Sequence, residues 1–303
     1  MKRKIAFLLL PQVELLDLAG PVQVFSEAQY QGLDIEIVFC SFQQSTMSAP
    51  GLTLSGAIPY TDLQLTQNDF LFIPGIRAEV MERDAAAEVD LFHWLRQQAA
   101  AGVALCTVCN AAFILGEAGL LDGKECTTHW RSVGLLQQLF PTAKVRADVL
   151  FVKSENIYTS AGISSGIDLA LFILEGLKDA YFTHKVARGL VLYHRRNPGH
   201  SQESIYLSYR NHMRPEIHQV QDYLIENLSG DCSIDTLAAM AAMSPRHLNR
   251  VFREQTGITL HQYINSLRVE KATSLLHNPA YTMEYIAAQC GLKSARQLQR
   301  ILP

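Results

Sequence analysis

Apolar residues fall along the first two-thirds of the chain in short blocks separated by longer amphipathic stretches. Ile5–Leu10, Asp34–Cys40, Phe70–Ile73 and Val103–Val108 are each a few residues long and rich in aliphatic or aromatic side chains. Runs of this kind, too short for a helix and without a regular polar face, predict buried strands of a parallel sheet. Leu150–Lys153 and Ile157–Ser160 flank Glu155-Asn156 and predict a hairpin. Between the blocks, residues 15–31, 85–101, 110–118, 131–139 and 165–177 have helical composition, with Gly102, Gly119 and Pro141 as stops. A further helical signal runs from Val186 to His194. Strands alternating with helices predict a doubly wound α/β domain with a mostly parallel sheet.

The pattern then changes. Arg195–Ser204 is polar and contains Pro198-Gly199, the composition of a linker, and from Ile217 onward only helical periodicity remains. Within this tail a repeat stands out. Leu237–Phe252 reads LAAMAAMSPRHLNRVF and Ile286–Leu302 reads IAAQCGLKSARQLQRIL. An offset of 49 aligns Leu237 with Ile286 and Met243 with Leu292; after the inserted Lys293 the offset is 50, so Ser244 faces Ser294, Arg246 faces Arg296 and Arg250 faces Arg300. Each copy predicts a helix-turn-helix: an alanine-rich first helix, a short turn, then a Ser placed to cap the second helix. Pro245 falls at the first helical position, where its missing N–H costs nothing. Leu248, Val251 and Phe252 share the inner face, leaving Arg246, His247, Asn249 and Arg250 outward, a side-chain set suited to base edges and phosphates. Solvated arginines on plain helical hairpins would explain one copy; two copies with Arg at matching outer positions favour DNA binding.

Composition and charge agree with this division. A chain of 303 residues, 48% hydrophobic and 18% charged, can bury two cores. The net charge of −3 conceals a polarity: from Met240 onward eight Lys/Arg stand against three Asp/Glu, so a basic tail of +5 follows a body of −8. A basic tail is the electrostatic footprint expected for nucleic acid. The start, MKRKIAFLLLPQVELLDLAG, imitates a signal peptide, but Pro11, Gln12 and Glu14 interrupt its apolar core and a first strand explains it better. No stretch predicts a membrane span. Six cysteines without framework spacing predict reduced thiols and a cytoplasmic protein. Cys106-Thr-Val-Cys109 has no second pair for zinc, and no metal or cofactor is expected.

The tail from about Pro215 resembles the AraC-type DNA-binding module, two helix-turn-helix units joined by a long helix. TGITLHQYINSLRVEKATSLLHN (Thr256–Asn278) carries the middle of that match, with Gly257 closing the first recognition helix and Arg268, Ala272, Leu275 and Leu276 on the linking helix. In front, LLDLAGPVQVF (Leu15–Phe25), Pro74-Gly75, CTVCNAAFILGEAGLLDGKECTTHW (Cys106–Trp130) and TSAGISSGIDLALFILE (Thr159–Glu175) resemble the ThiJ/PfpI class of the glutamine-amidotransferase-like, flavodoxin-like fold. Joined to the tail, they resemble the GlxA family of transcriptional regulators over essentially the whole chain. The resemblance implies a ligand-sensing domain over residues 1–196, a linker over 197–213 and an all-α double helix-turn-helix domain over 214–303. The tail stops where the family carries a closing helix, so it reads as truncated and its second unit is expected to fray.

The resemblance also implies a site. Cys109 would stand at a strand-to-helix elbow, where helix N–H groups and the macrodipole would lower its pKa. His129 and Asp17 match a histidine and an acidic residue beside the superfamily's cysteine, and N–H groups after Gly75 and at Asn110 would form an anion pocket. Where the family usually has Thr-Gly after the cysteine, this chain has Asn110-Ala111. Three readings of Asp17, Cys109 and His129 stay open: an inherited effector pocket, which fits best; a working thiol site, as in an isonitrile hydratase-like enzyme with a vestigial tail; or core structure. The favoured reading is a non-enzymatic regulator with promoter DNA, a small effector and a second copy of its own front domain as partners. Family effectors include amino acids and amines. Arg246, His247, Asn249 and Arg250 would serve one major groove, Arg296, Gln297 and Arg300 the next, about 34 Å along. The linking helix, Leu260 to His277, would be about 27 Å long. Arg253, Lys271 and Lys293 would meet phosphates.

Overall fold

The computed structural model describes residues 2–77, 85–162, 164–192, 196, 198, 202, 204–206, 208–276, 278 and 280–302. The expected helix ends His194 and His277, and Asn197, Gly199, His200, Ser201, Glu203 and Leu207 of the expected linker, lie outside the described residues. Two compact units are present, Met1–Gln202 and Glu203–Pro303.

In the front unit, β1 (Arg3–Leu9) leads into α1 (Leu15–Tyr30) and β2 (Ile35–Ser41). Three short strands follow: β3 (Ser45–Met47), β4 (Thr53–Ser55) and β5 (Ile58–Pro59). Then come β6 (Phe70–Ile73), α2 (Ala85–Ala100), β7 (Ala104–Val108), α3 (Ala112–Glu117), β8 (Glu125–Cys126), α4 (Val133–Leu139) and β9 (Lys144–Val145). β10 (Phe151–Ser154), β11 (Ile157–Ser160), α5 (Ser164–Leu177) and α6 (Ala180–Gly189) complete it.

The main sheet runs β10-β11-β7-β6-β1-β2-β5, and every pairing in it is parallel except β10 with β11. Why the strand blocks lack a polar face is visible in β1. Ile5, Phe7 and Leu9 enter the core beneath α1, α5 and α6, while Ala6, Leu8 and Leu10 enter the one beneath α2, α3 and α4. Both faces are covered, so alternation disappears. Phe7 stacks on Phe72 at 5.2 Å and Phe25 of α1 meets Phe72 edge-on at 5.6 Å, pinning helix to sheet. Strand order reverses between β1 and β6, and the crevice at the C-terminal ends of such strands is where open α/β sheets bind ligands.

Three local expectations are corrected. The helix expected from Asn110 begins as a 3-10 turn, Cys109–Ala111, before α3. The helix expected from Arg131 likewise begins with a 3-10 turn, Trp130–Ser132. The last helix lies earlier than expected from Val186–His194: α6 starts after Asp179, whose carboxylate accepts the Phe182 N–H at 2.7 Å, and ends at Gly189. The short strands β3, β4, β5, β8 and β9, of two or three residues each, have no sequence signature of their own.

The second unit contains α7 (Pro215–Glu226), α8 (Ile234–Met240), α9 (Pro245–Thr256), α10 (Leu260–Leu276), α11 (Met283–Gln289) and α12 (Ala295–Ile301). Ser233, Ser244, Thr282 and Ser294 each cap the helix that follows, and Gly257 ends α9 in the left-handed conformation, φ 79°. The unit begins before α7: Ile205 and Tyr206 pack on its core, Gln221 donates to the Tyr209 carbonyl at 3.0 Å, and Tyr209 meets Tyr263 edge-on.

Two cores of unequal size serve the two helix-turn-helix pairs. The first joins α7, α8, α9 and the front of α10 through Ile217, Leu224, Leu237, Leu248, Phe252 and Tyr263, among others. The second is built on Ala272, Ile286, Ala287, Cys290 and Leu298 alone, with Leu275, Met283, Leu292, Ile301 and Leu302 half-buried around it. Arg268 ties the second pair to α10, donating from Nε to the Cys290 carbonyl at 3.1 Å and from Nη2 to Gly291 at 3.4 Å. Because protection scales with buried apolar contact, amides of Ala295–Ile301 are expected to exchange faster than those of Pro245–Thr256. Hydrogen exchange resolved by residue checks this; equal protection of α9 and α12 would refute it.

Candidate functional site

The strand β7 ends at the sheet's C-terminal edge, and the chain must turn at once into α3. Cys109 makes that turn with φ +59°, a left-handed conformation that is costly for a residue with a side chain. The strain holds the thiol at the crevice, partly exposed. Two glycines make the geometry possible. A Cβ on Gly162, itself at φ +119°, would lie 2.9 Å from the Cys109 sulfur, and one on Gly75 would lie 2.3 Å from Asp17 Oδ2 and 3.0 Å from the Cys109 Cβ. Asp17, in the first turn of α1, is wholly buried and hydrogen-bonded by the thiol. Asp17, Gly75, Cys109 and Asn110 are thus brought together from α1, the loop after β6 and the elbow after β7.

Two chemical expectations fail here. Burial above all, and next the Asp17 charge, push the Cys109 thiol up to about 12; the Asn110 N–H on the sulfur opposes this with a smaller effect. The expected lowering of the pKa is therefore corrected. A 3-10 turn and the six-residue α3 offer little macrodipole, and a buried carboxylate faces the sulfur. The expected anion pocket is also filled. The Ile76 N–H, the donor after Gly75, points to Asn110 Oδ1 at 3.0 Å, while Asn110 Nδ2 donates to the Ile76 carbonyl at 2.6 Å. Asn110, standing where the family usually has Thr, closes the pocket with its own amide.

His129 is near in chain but not joined to the thiol. Its Nδ1 accepts the Arg131 N–H at 3.3 Å and its ring leans on Trp130; among the described residues no hydrogen bond links it to Cys109. Burial, then Arg131, lower its pKa and favour the neutral ring. Its neighbour does the contacting: Thr128 Oγ1 donates to the Cys109 carbonyl at 2.9 Å. Neither Thr128 nor Gly162 stands out in the sequence by itself. Thr-Thr-His-Trp and Ser-Ala-Gly were visible as strings, but the role of each residue is a long-range contact.

The basic face of the tail is arranged as the repeat implied. Arg246, His247, Asn249, Arg250 and Arg253 are exposed on α9, and Leu248, Val251 and Phe252 are buried. On α12, Arg296, Gln297 and Arg300 are exposed around buried Leu298. Lys293 is exposed before α12 and Lys271 half-buried on α10. Two of these side chains are already engaged. Arg250 Nη1 meets both oxygens of Glu254, at 2.8 and 3.1 Å, and Gln297 Oε1 accepts the Lys293 N–H at 2.8 Å.

Comparison with known proteins follows the same division. The DJ-1/PfpI family model matches residues 3–176, and a helix-turn-helix domain model matches residues 237–302. The chain belongs to the DJ-1/PfpI family. Outside the family domain, the likeness continues into the tail. The HTH-type transcriptional regulator GbdR of Pseudomonas aeruginosa is 25% identical over 299 residues, covering 96% of this chain and 78% of its own length. Isonitrile hydratase of Pseudomonas putida is 33% identical over 179 residues, 58% of this chain and 73% of that enzyme. A solved THiJ/PfpI family protein from Pseudomonas syringae shares the fold, with a TM-score of 0.56 at 23% identity over 68% of this chain and 80% of that one. The expected architecture, a ThiJ/PfpI-type domain followed by an AraC-type helix-turn-helix domain as in the GlxA-type regulators, is found.

A thiol held near 12 makes a pH prediction. Below its pKa the thiolate fraction rises about tenfold per pH unit. Alkylation of Cys109 by iodoacetamide should therefore still be climbing at about pH 10, where an ordinary thiol of pKa about 8.5 has levelled off. Asp17→Asn removes the carboxylate charge and should move the rise to lower pH. A plateau below about pH 9 in the unmodified chain, or no shift in Asp17→Asn, contradicts this account of the site.

Proposed function

We propose that this chain is a transcriptional regulator: the tail binds promoter DNA, and the front unit senses a small molecule at Asp17, Gly75, Cys109 and Asn110. The observation that carries the reading is the pair of capped helices α9 and α12, each presenting arginines outward at matching positions behind a DJ-1/PfpI domain. Likeness to an HTH-type regulator across 96% of the chain supports it. Arg246, His247, Asn249 and Arg250 read one major groove, with Arg296, Gln297 and Arg300 in the next. Arg253, Lys271 and Lys293 neutralise phosphates. The front unit acts without catalysis: its thiol is held protonated, the N–H after Gly75 is spent on Asn110, and His129 serves as a cap. The buried Asp17 carboxylate suits a cationic effector, an amine or amino acid derivative. The front unit supplies a surface for a second copy of the chain, within the cytoplasm. The effector works by binding one arrangement of the protein more tightly than another.

A cysteine-dependent hydratase is the second reading, favoured by the 33% identity to isonitrile hydratase and by the strained elbow. Turnover of an isonitrile that vanishes in Cys109→Ser would establish it; the expected result is no turnover in either protein. For the main reading, DNA enriched from a random pool by the full chain serves as operator. Arg250→Ala, which removes an exposed side chain, should leave the melting temperature unchanged and abolish footprint protection of that DNA. Lys293→Ala should weaken binding to all sequences and reduce the slope of log K against log salt by about 0.9. Unchanged specific protection in Arg250→Ala defeats the assignment of α9. A thermal-shift screen with amines and amino acids tests the sensor, since a ligand of the native state alone raises the melting temperature.

A further inference from the structure

The stretch that leaves the front unit is fastened to two of the walls of the Cys109 site. One wall is the loop at Gly162 and the start of α5. Ser165 Oγ accepts the Gly162 N–H at 2.8 Å and donates to the Gly162 carbonyl at 2.9 Å, setting the glycine against the sulfur. On this same turn lands Arg196. Its Nη2 donates to Ser164 Oγ at 2.8 Å and to Asp168 Oδ2 at 2.6 Å, its Nε to Asp168 Oδ2 at 3.0 Å, and its backbone N–H to Asp168 Oδ1 at 3.0 Å. Asp168 is buried and Arg196 half-buried, so this is a multiply bonded charge pair anchored on a buried carboxylate.

The other wall is Thr127-Thr128. Thr128 Oγ1 holds the Cys109 carbonyl at 2.9 Å, and the Thr127 N–H is held by Thr159 Oγ1 at 2.8 Å. On this segment lands Gln202. Its Nε2 reaches the Thr128 carbonyl at 3.1 Å, the Ala147 carbonyl at 3.1 Å and Thr127 Oγ1 at 3.3 Å, while its N–H donates to Asp148 Oδ1 at 3.2 Å. Between the two landings the Pro198 carbonyl accepts the Leu150 N–H at 3.0 Å, and Leu150 in turn accepts from Ala161. Two of the segments that touch the elbow cysteine, those of Gly162 and Thr128, are therefore also the seats of one linker side chain each.

We propose that Arg196 and Gln202 form a latch that couples occupancy of the Cys109 site to the length of free chain between the units. A group entering beside the sulfur meets Gly162, and Thr128 holds the cysteine's own carbonyl; the latch is fastened to both of these segments. Latch closure and site occupancy are then linked, and the linkage is reciprocal. The effect on the tail is geometric. With Gln202 seated, the chain from there to Ile205 reaches at most about 10 Å; released back to Leu192, it reaches up to about 45 Å. Longer tethers lower the effective concentration at which one unit meets the sites the other can hold.

The inference rests on the reading of the Cys109 site as the sensor, and its test separates the two. In the full chain, Gln202→Glu keeps the size of the side chain and removes its N–H donors. Iodoacetamide alkylation, read cysteine by cysteine, should be roughly five- to tenfold faster at Cys109 in this variant, about what one or two lost hydrogen bonds are worth. Cys106 and Cys126, both fully buried, should stay protected; if they react faster too, the variant has loosened as a whole, and the latch then stands or falls on the converse measurement. For that, the unsubstituted chain is carboxamidomethylated at Cys109, the sulfur displacing iodide, and treated briefly with trypsin. Cleavage after Arg195 and Arg196 should be roughly fivefold faster than in the unmodified protein. Equal cleavage rates overturn the latch whatever happens to DNA binding. Faster cleavage with unchanged operator affinity upholds the latch and defeats the sensor reading instead.

Discussion

Everything in the front unit that bears on function converges on one tight approach: two glycine backbones and a buried carboxylate crowd a cysteine held in the left-handed region. Gly75 and Gly162 leave no space for a methyl group beside Asp17 and the sulfur. The sheet produces this crowding. β6 and β7 are neighbours, so the loop after one necessarily lies beside the elbow after the other. The hairpin partner β11 on the far side of β7 delivers Gly162 in the same way. Parallel topology thus gathers residues nearly 150 positions apart at one edge, and what collects there is a partly exposed thiol whose pKa burial and the Asp17 charge push up.

Much of this was legible in the chain, for a physical reason. A strand buried on both faces writes its identity into a run of apolar residues, as Phe70–Ile73 does, and a capped helix writes its start into a Ser before Pro or Ala, as at Ser244 and Ser294. Periodicity placed Leu248, Val251 and Phe252 inside and the arginines outside, and the structure agrees. Local patterns report local constraints.

What escaped the sequence was long-range and polar. Asn110 could be seen to replace the family's usual Thr, but not that its amide would occupy the Ile76 N–H. Arg196 and Gln202 sat in a polar stretch that composition marks as linker, yet both are bonded into the front unit. The direction of the Cys109 shift is not legible from a helix start alone, because it is set by what surrounds the elbow. Desolvation and one carboxylate outweigh a short dipole. Side-chain pairs between residues tens of positions apart leave no period and no spacing to read.

The two helix-turn-helix pairs differ in a further respect, set by their turns. Ala242 and Gly291 occupy equivalent positions and both take positive φ, 52° and 69°. An alanine there costs about 1–2 kcal/mol, a load that the larger core around Phe252 and Tyr263 can carry. At Gly291 the same side chain would meet the Leu228 carbonyl at 2.3 Å, backbone that belongs to the larger core. The two halves of the repeat therefore differ at this turn: position 242 carries an alanine, whereas at position 291 even a Cβ would collide with backbone. The second turn, though it belongs to the weaker half, is thus held to a glycine, while the first carries the strain of an alanine in the left-handed region.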